Sequence, residues 1–333
     1  MESEIGLLRK NISRLVSDEI KPEVKEWEKG GRLPSEILAR LSEIGLFGLT
    51  IPEEHGGIGY GAEVLVAALD ELARGSASLA LFLLFQNSLV GEMLTLAKEE
   101  DLIAALIEGK SFGGGAIFPE GLKEEGGLSG EGSFLINGAG DFFVLVGKEK
   151  SYLIDTIEST PVATLAFRDL QISSFVVRDV PVRFSTSTDR IKDAIDLYLL
   201  GLSAIALGIG REILSEAKTY AQNRKQFGRP IIEFWMVQDM LVEIATTVKT
   251  SELLVKETAS RYDKKDYDPT DIAITKSFVT NRIMTAATHG VQIFGGYGYT
   301  TDYPMERYFR EAKALEVMGI VNEELRSQIA QSL

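Results

Sequence analysis

Apolar residues recur at three- and four-residue steps near the start of the chain, at Ile5, Leu8, Ile12, Leu15 and Val16. That spacing lines one face of a helix. The same step returns at Ile37, Leu38, Leu41 and Ile44, after Pro34, a residue favoured in the first turn of a helix. The segment GLTIPEEHGGIGYG, with one proline and five glycines, predicts a loop. Two further helices are expected after it, AEVLVAALDELARG closed by Gly75 and an apolar one from Ser76 through Ala97.

From about Phe112 the period shortens. The runs SFLI, DFFVLVG, VATLAF and SSFVVRDVPVRF have the β-branched and aromatic character of strands, and Asn137-Gly138 signals a hairpin turn. Helical periodicity resumes after Pro181 to Thr188 and holds to the C-terminus, with GGYGYTTDYP as its one long interruption. The predicted class is α+β: an N-terminal helical domain over 1–111, a small antiparallel β domain over 112–186 and a C-terminal domain of four-helix-bundle type over 187–333.

Composition narrows the chemistry. Among 333 residues, 35 Lys and Arg against 49 Asp and Glu give a net charge of −14, which disfavours binding to a nucleic-acid backbone. Without cysteine the chain has no thiolate metal site, disulfide or Cys nucleophile. Its only histidines, His55 and His289, are too few for a His-rich metal site, so no metal is expected; each is read as a structural residue. The N-terminus lacks the apolar core of a signal peptide, which points to a cytoplasmic protein. The most apolar stretches, around 79–85 and over 197–210, are shorter than the roughly 20 residues of a membrane span and read as buried helices.

Three segments carry a family likeness: Gly30–Gly61, YAQNRKQFGRPI at 220–231, and QIFGGYGYTTDYPMERYFREAKALEVMGIVNEELR at 292–326. Together they resemble signatures of the acyl-CoA dehydrogenases, in the same order, and the likeness extends over nearly the whole chain. It implies a flavoprotein of fatty-acid metabolism that binds FAD and an acyl-CoA thioester. It also implies that Arg224, Gln226, Phe227, Gln292, Gly295 and Gly296 contact the pyrophosphate and adenosine end of the FAD seated in a neighbouring subunit. A homo- or hetero-oligomer, dimer or tetramer, with an acyl-CoA dehydrogenase-like chain follows, and the resemblance admits an electron-transfer flavoprotein as electron acceptor.

The pattern fails where the chemistry should be. A carboxylate is needed to take the α-proton of the thioester. A gapless count puts Gly319 at the family's usual glutamate and Tyr198 at its alternative position. Leu199, Val321 and Trp235 stand where the pattern has Arg, Thr and Gln, the loop AIFPEGLKEEGG only faintly echoes Thr-Glu-Pro-x-x-Gly-Ser-Asp, and the Lys-x-Trp-Ile-Thr segment is missing after INGAGD. Three readings stand: a degenerate subunit completing a partner's FAD site, a self-sufficient flavin oxidoreductase with a non-standard base, or a non-enzymatic protein on the same fold. For the second, Asp196 and Glu316 are the candidate bases; their plainer readings are a helix cap or CoA contact and a solvated helix carboxylate. Glu124-Glu125 reads as a solvated β-turn, and Asp302, Glu306 and Arg307 as structural ion-pair partners.

Overall fold

The computed structural model describes residues 2–333. In chain order the elements are α1 (Glu2–Leu15), α2 (Lys21–Gly30), α3 (Ser35–Glu43), α4 (Ala62–Ala73), α5 (Ala77–Phe85), α6 (Gly91–Ala97) and α7 (Glu100–Ile107). Strands β1 (Gly113–Ile117), β2 (Lys123–Glu125), β3 (Gly127–Leu135), β4 (Phe142–Val146), β5 (Lys150–Ile154), β6 (Glu158–Pro161), β7 (Ser173–Val180) and β8 (Val182–Ser187) follow. Then come α8 (Lys192–Asn223), β9 (Lys225–Gln226), β10 (Arg229–Pro230), α9 (Trp235–Asp263), α10 (Pro269–Phe294), α11 (Met305–Val317) and α12 (Asn322–Ser332). The chain divides into two compact units, one of Met1–Val16, Val66–Ala77 and Leu199–Leu333, the other of Ser17–Leu65 and Ser78–Tyr198.

The second unit holds both four-stranded sheets, ordered β1-β4-β5-β8 and β2-β3-β7-β6. All pairings are antiparallel except β1 with β4. Ala116, Phe143, Leu145, Tyr152 and Ile154 from one sheet meet Leu128, Leu135, Phe175 and Val177 from the other in one apolar core. Several strand predictions change. VATLAF is a loop and not a strand: its Val162 amide still donates to Ile172 O at 2.9 Å, beyond the β6–β7 ladder, and the rest is held by the Thr164 hydroxyl on the Ala166 carbonyl at 2.8 Å and a left-handed Phe167 at φ +56°. Asn137-Gly138 does turn the chain, with the Gly140 amide donating to Asn137 O at 2.9 Å. Yet β3 and β4 lie in different sheets, so it is no hairpin. Glu124 and Glu125 belong to β2, and the Glu124 carboxylate takes the Lys150 ammonium at 2.5 Å.

In the first unit α10 is the central helix. Its start is written in the sequence Asp268-Pro269-Thr270-Asp271: Pro269 opens the helix, and Asp268 and Asp271 form a reciprocal capping box. Fourteen of its residues are buried, on more than one face, which only a helix surrounded by others can offer. Buried carboxylates elsewhere in this unit are matched by guanidinium groups, Asp70 with Arg9 at 3.0 Å and Arg211 at 2.9 Å, and Glu212 with Arg74 at 2.9 Å. Burial without such partners would be costly.

Helical periodicity also breaks once more than predicted, over Arg224–Phe234, where β9 and β10 form a miniature hairpin. Two helical stretches, Ala77–Ala97 and Thr188–Asn223, are in fact long and apolar enough to cross a membrane, contrary to the length expectation. They are 83% and 89% buried inside the protein, the environment of core helices.

Gly208 on α8 lets the α4 backbone approach closely, since a Cβ there would lie 2.3 Å from Asp70 O and 2.8 Å from Ala73 Cβ. Gly208→Ala should therefore destabilise by about 1–3 kcal/mol, whereas helix propensity alone would stabilise by about 1 kcal/mol. The sign of the shift in the urea midpoint decides between them.

Candidate functional site

The six residues implicated in cofactor contact, Arg224, Gln226, Phe227, Gln292, Gly295 and Gly296, line a single open groove of about 680 Å³ in the first unit. Two chain breaks build it. At the end of α8 the Arg224 amide still donates to Tyr220 O at 2.8 Å, and the chain then reverses through β9 and β10. The turn of that hairpin is Phe227-Gly228, with φ of +51° and +82°. Glycine takes this conformation freely, whereas a phenylalanine is strained in it. The result is a Phe227 ring 93% exposed at the groove's lip.

The other wall is the end of α10. Gly295 closes the helix at φ +60°, ψ −136°, a conformation that essentially requires glycine. No heavy atom lies within 4 Å of where a Cβ would stand at Gly295 or Gly296, so the main chain there is open to a ligand.

An aromatic floor underlies these groups. Tyr220 stacks on Phe294 at 4.1 Å and 18°, and Tyr303 meets both edge-on. The Arg224 guanidinium sits 5.9 Å from the Tyr297 ring centroid, within cation–π range. Tyr220, Phe234, Met240 and Thr300 also line the groove and escaped the sequence reading. Tyr220 lies one helical turn before Arg224, which is the signal that could have found it.

The positions expected to carry a base are built differently. Tyr198 is fully buried, its ring edge-on to Phe85 at 6.4 Å. Its hydroxyl has no hydrogen-bond partner among the described residues. Burial drives its pKa well above the usual phenol range, so it cannot serve as a base. Asp196 is buried inside α8, four residues past its first residue, and so does not cap that helix. Glu316 is not simply solvated: its carboxylate takes Lys313 Nζ at 2.7 Å and Asn281 Nδ2 at 3.2 Å.

Gly319 lies between α11 and α12 at φ +67°. The turn around it is held by Lys276 of α10, a fully buried lysine. Its ammonium donates to Glu316 O at 3.0 Å, Ile320 O at 2.8 Å and Asn322 Oδ1 at 3.0 Å. Burial lowers its pKa to about 8, against the pull of Glu316 and Glu323. Further along α11, Glu306 pairs with Arg310 at 2.6 Å, and Arg307 with Glu311 at 3.8 Å. His55 bonds Glu100 at 2.8 Å.

In the second unit, the end of β1 and the segment after it, 116–121, border an open cavity of about 1000 Å³, together with Lys123, Gly130–Phe134 and Ser174–Val176. Its charged groups are Glu120, Glu131 and Lys123.

With this geometry in place, comparison with known proteins defines the class. The C-terminal domain of acyl-CoA dehydrogenases matches residues 189–333, and the N-terminal domain of acyl-CoA dehydrogenases matches 2–106. The chain belongs to the acyl-CoA dehydrogenase family. The segment with the two sheets lies outside both matched ranges.

Among relatives, a 3-(aryl)acrylate reductase of Clostridium sporogenes is 26% identical, with 98% of this chain and 97% of that protein covered. That alignment spans 373 positions against 333 residues here, so the relative carries residues this chain lacks. A caffeyl-CoA reductase-Etf complex subunit of Acetobacterium woodii is 26% identical over 93% of both chains. The butyryl-CoA dehydrogenase structure from Megasphaera elsdenii shares the fold, with a TM-score of 0.87 at 23% identity, over 98% of this chain and 97% of that one.

Two predictions follow from the buried groups. Tyr198→Phe removes an unsatisfied buried hydroxyl and should stabilise the protein by about 1–3 kcal/mol; a loss of stability on chemical unfolding would contradict this. For Lys276, the folded pKa of about 8 lies below the ordinary 10.5, so between these values the unfolded chain binds more protons. Its contribution to stability is then present at high pH and lost as pH falls towards the folded value. The stability difference between wild type and Lys276→Met should rise, by at most about 3 kcal/mol, across that window, as read from unfolding curves at stepped pH.

Proposed function

We propose that this chain is an acyl-CoA dehydrogenase-like subunit that completes the FAD site of a neighbouring, catalytic chain and does not itself abstract the α-proton. The observation carrying this reading is the contrast between a groove lined by all six residues that the family likeness implicates in cofactor contact and the absence of a carboxylate at 318–321, between α11 and α12.

The groove's chemistry suits a dinucleotide's phosphates and adenosine. Arg224 offers charge-assisted bonds to phosphate oxygens, Gln226 and Gln292 offer amide donors, and the main chain at Gly295-Gly296 admits close approach. When bound, FAD supplies the hydride acceptor. The cavity of the second unit suits an isoalloxazine ring less well. Glu120 and Glu131 bring acceptor-only carboxylates and negative charge towards a ring that gains negative charge on reduction.

The φ of Gly319 sharpens the assignment at the turn. A residue with a side chain rarely holds φ +67°, so Gly319 suits the glycine of a Glu-Gly-Thr turn better than its glutamate. Met318 then occupies the base position, which again has no carboxylate. Glu316, three residues before Gly319, is committed to Lys313 and Asn281, which weakens it as a substitute base. The Acetobacterium woodii relative is a subunit of a reductase-Etf complex, which supports an assembly that passes electrons to an electron-transfer flavoprotein.

The test is to purify the chain alone and with a co-expressed relative that retains the turn glutamate. Flavin is expected in the complex and little in the chain alone. Arg224→Ala in this chain should weaken retention of the complex's flavin by about 10- to 100-fold, the loss of one charge-assisted bond. Stoichiometric flavin and acyl-CoA dehydrogenation by the chain alone would overturn the proposal.

A further inference from the structure

The α12 helix is attached by few groups: the buried Asn322, the buried Leu325, and Ser332, whose hydroxyl accepts from the Thr270 hydroxyl of α10 at 3.3 Å. Of its eleven residues only Asn322 and Leu325 are buried, and Asn322 is polar. The helix is therefore not held by an apolar face in the way α10 is.

What Asn322 touches explains the attachment. Its Oδ1 accepts from the Lys276 ammonium at 3.0 Å, and its Nδ2 donates to the Thr280 hydroxyl at 3.0 Å, one turn further along α10. The other two ammonium protons go to Glu316 O at the end of α11 and to Ile320 O in the turn. An ammonium has three donors, and here three acceptors from α11, the turn and α12 converge on it. The charged groups facing it are Glu316 of α11 and Glu323 of α12. A single side chain of α10 thus joins three consecutive pieces of chain.

The energetics make this joint all-or-none. A buried charge is tolerated only while its hydrogen bonds are made, because each lost bond leaves an uncompensated group away from water. The turn cannot drift away by one acceptor at a time at low cost. Local opening proceeds instead in cooperative units, and segments with few buried apolar residues open first.

We propose that Lys276 is a clasp that docks the turn at 316–322 and α12 onto α10, and that α12 undocks as one unit when the clasp opens. The device does not depend on the cofactor reading, because it uses only contacts within the helical unit.

Hydrogen–deuterium exchange of the full chain at neutral pH tests it. In Lys276→Met, which keeps a long side chain and removes all three donors, the amides of α12 should exchange at least tenfold faster. Those of α8 and α9 should be unchanged. Asn322→Ala, a milder variant that keeps the lysine, should speed the same α12 amides and serves if the first variant does not fold. Unchanged α12 exchange in either folded variant would overturn the clasp. So would an equal rise across α8, α9 and α12, which is what loss of an ordinary core residue produces.

Discussion

The burial of α10 is the constraint on which the rest of the helical unit depends. Fourteen of its residues are removed from water, so the helix has little freedom to rotate or slide without exposing apolar surface. Its C-terminal end supplies Gln292 and the Gly295-Gly296 main chain to the groove, and its middle supplies Lys276 to the α11–α12 turn. Groove and turn are therefore fixed by one rigid element. Sequence changes at either place can accumulate while the frame that presents both stays intact.

On the proposed reading, this rigid frame lets a chain keep a binding surface while losing a reactive one. At the groove the chemistry lies in main-chain openness and in side chains on a strained hairpin, Phe227 at φ +51° and Gly228 at +82°. Strain of that sort persists only where the surroundings over-determine it. At the turn, by contrast, the three acceptors of Lys276 are two main-chain carbonyls and an amide oxygen, and the carboxylates that face it, Glu316 and Glu323, do not stand at 318 or 319. The turn keeps its shape with glycine at 319 and methionine at 318. Tyr198, at the alternative position the family likeness indicates, is buried against Phe85 in the sheet-bearing unit.

Helix identity was legible where spacing and caps agreed, as at Ile37 and Leu41, both buried in α3, and at the buried Ile12, Leu15 and Val16. The residues of the groove were legible only through family likeness, because their spacing places them on two separate breaks with no shared period. The strands were the weakest part. VATLAF is as apolar as a strand but forms a loop, since pairing is a property of partners distant in sequence. Asn137-Gly138 signals a turn locally, yet whether a turn closes a hairpin depends on which sheet each strand joins. The break at Arg224–Phe234 carried its own warning in Gly228 and Pro230.

Lys276 illustrates what no local pattern reveals. On sequence it is one of many polar residues of α10, and the default expectation would turn it to solvent. In the fold it is fully buried because three acceptors from other segments meet there. An apolar residue of similar length would spare the desolvation cost, and such replacements are often neutral or stabilising where a buried charge only fills space. A charge at this position does something an apolar side chain cannot. It fixes the direction of three carbonyl-type oxygens, and so sets the path of the chain from α11 into α12. The turn is thereby held by α10 together with Gly319, whose φ of +67° suits glycine, and neither of these calls for a carboxylate at 318 or 319.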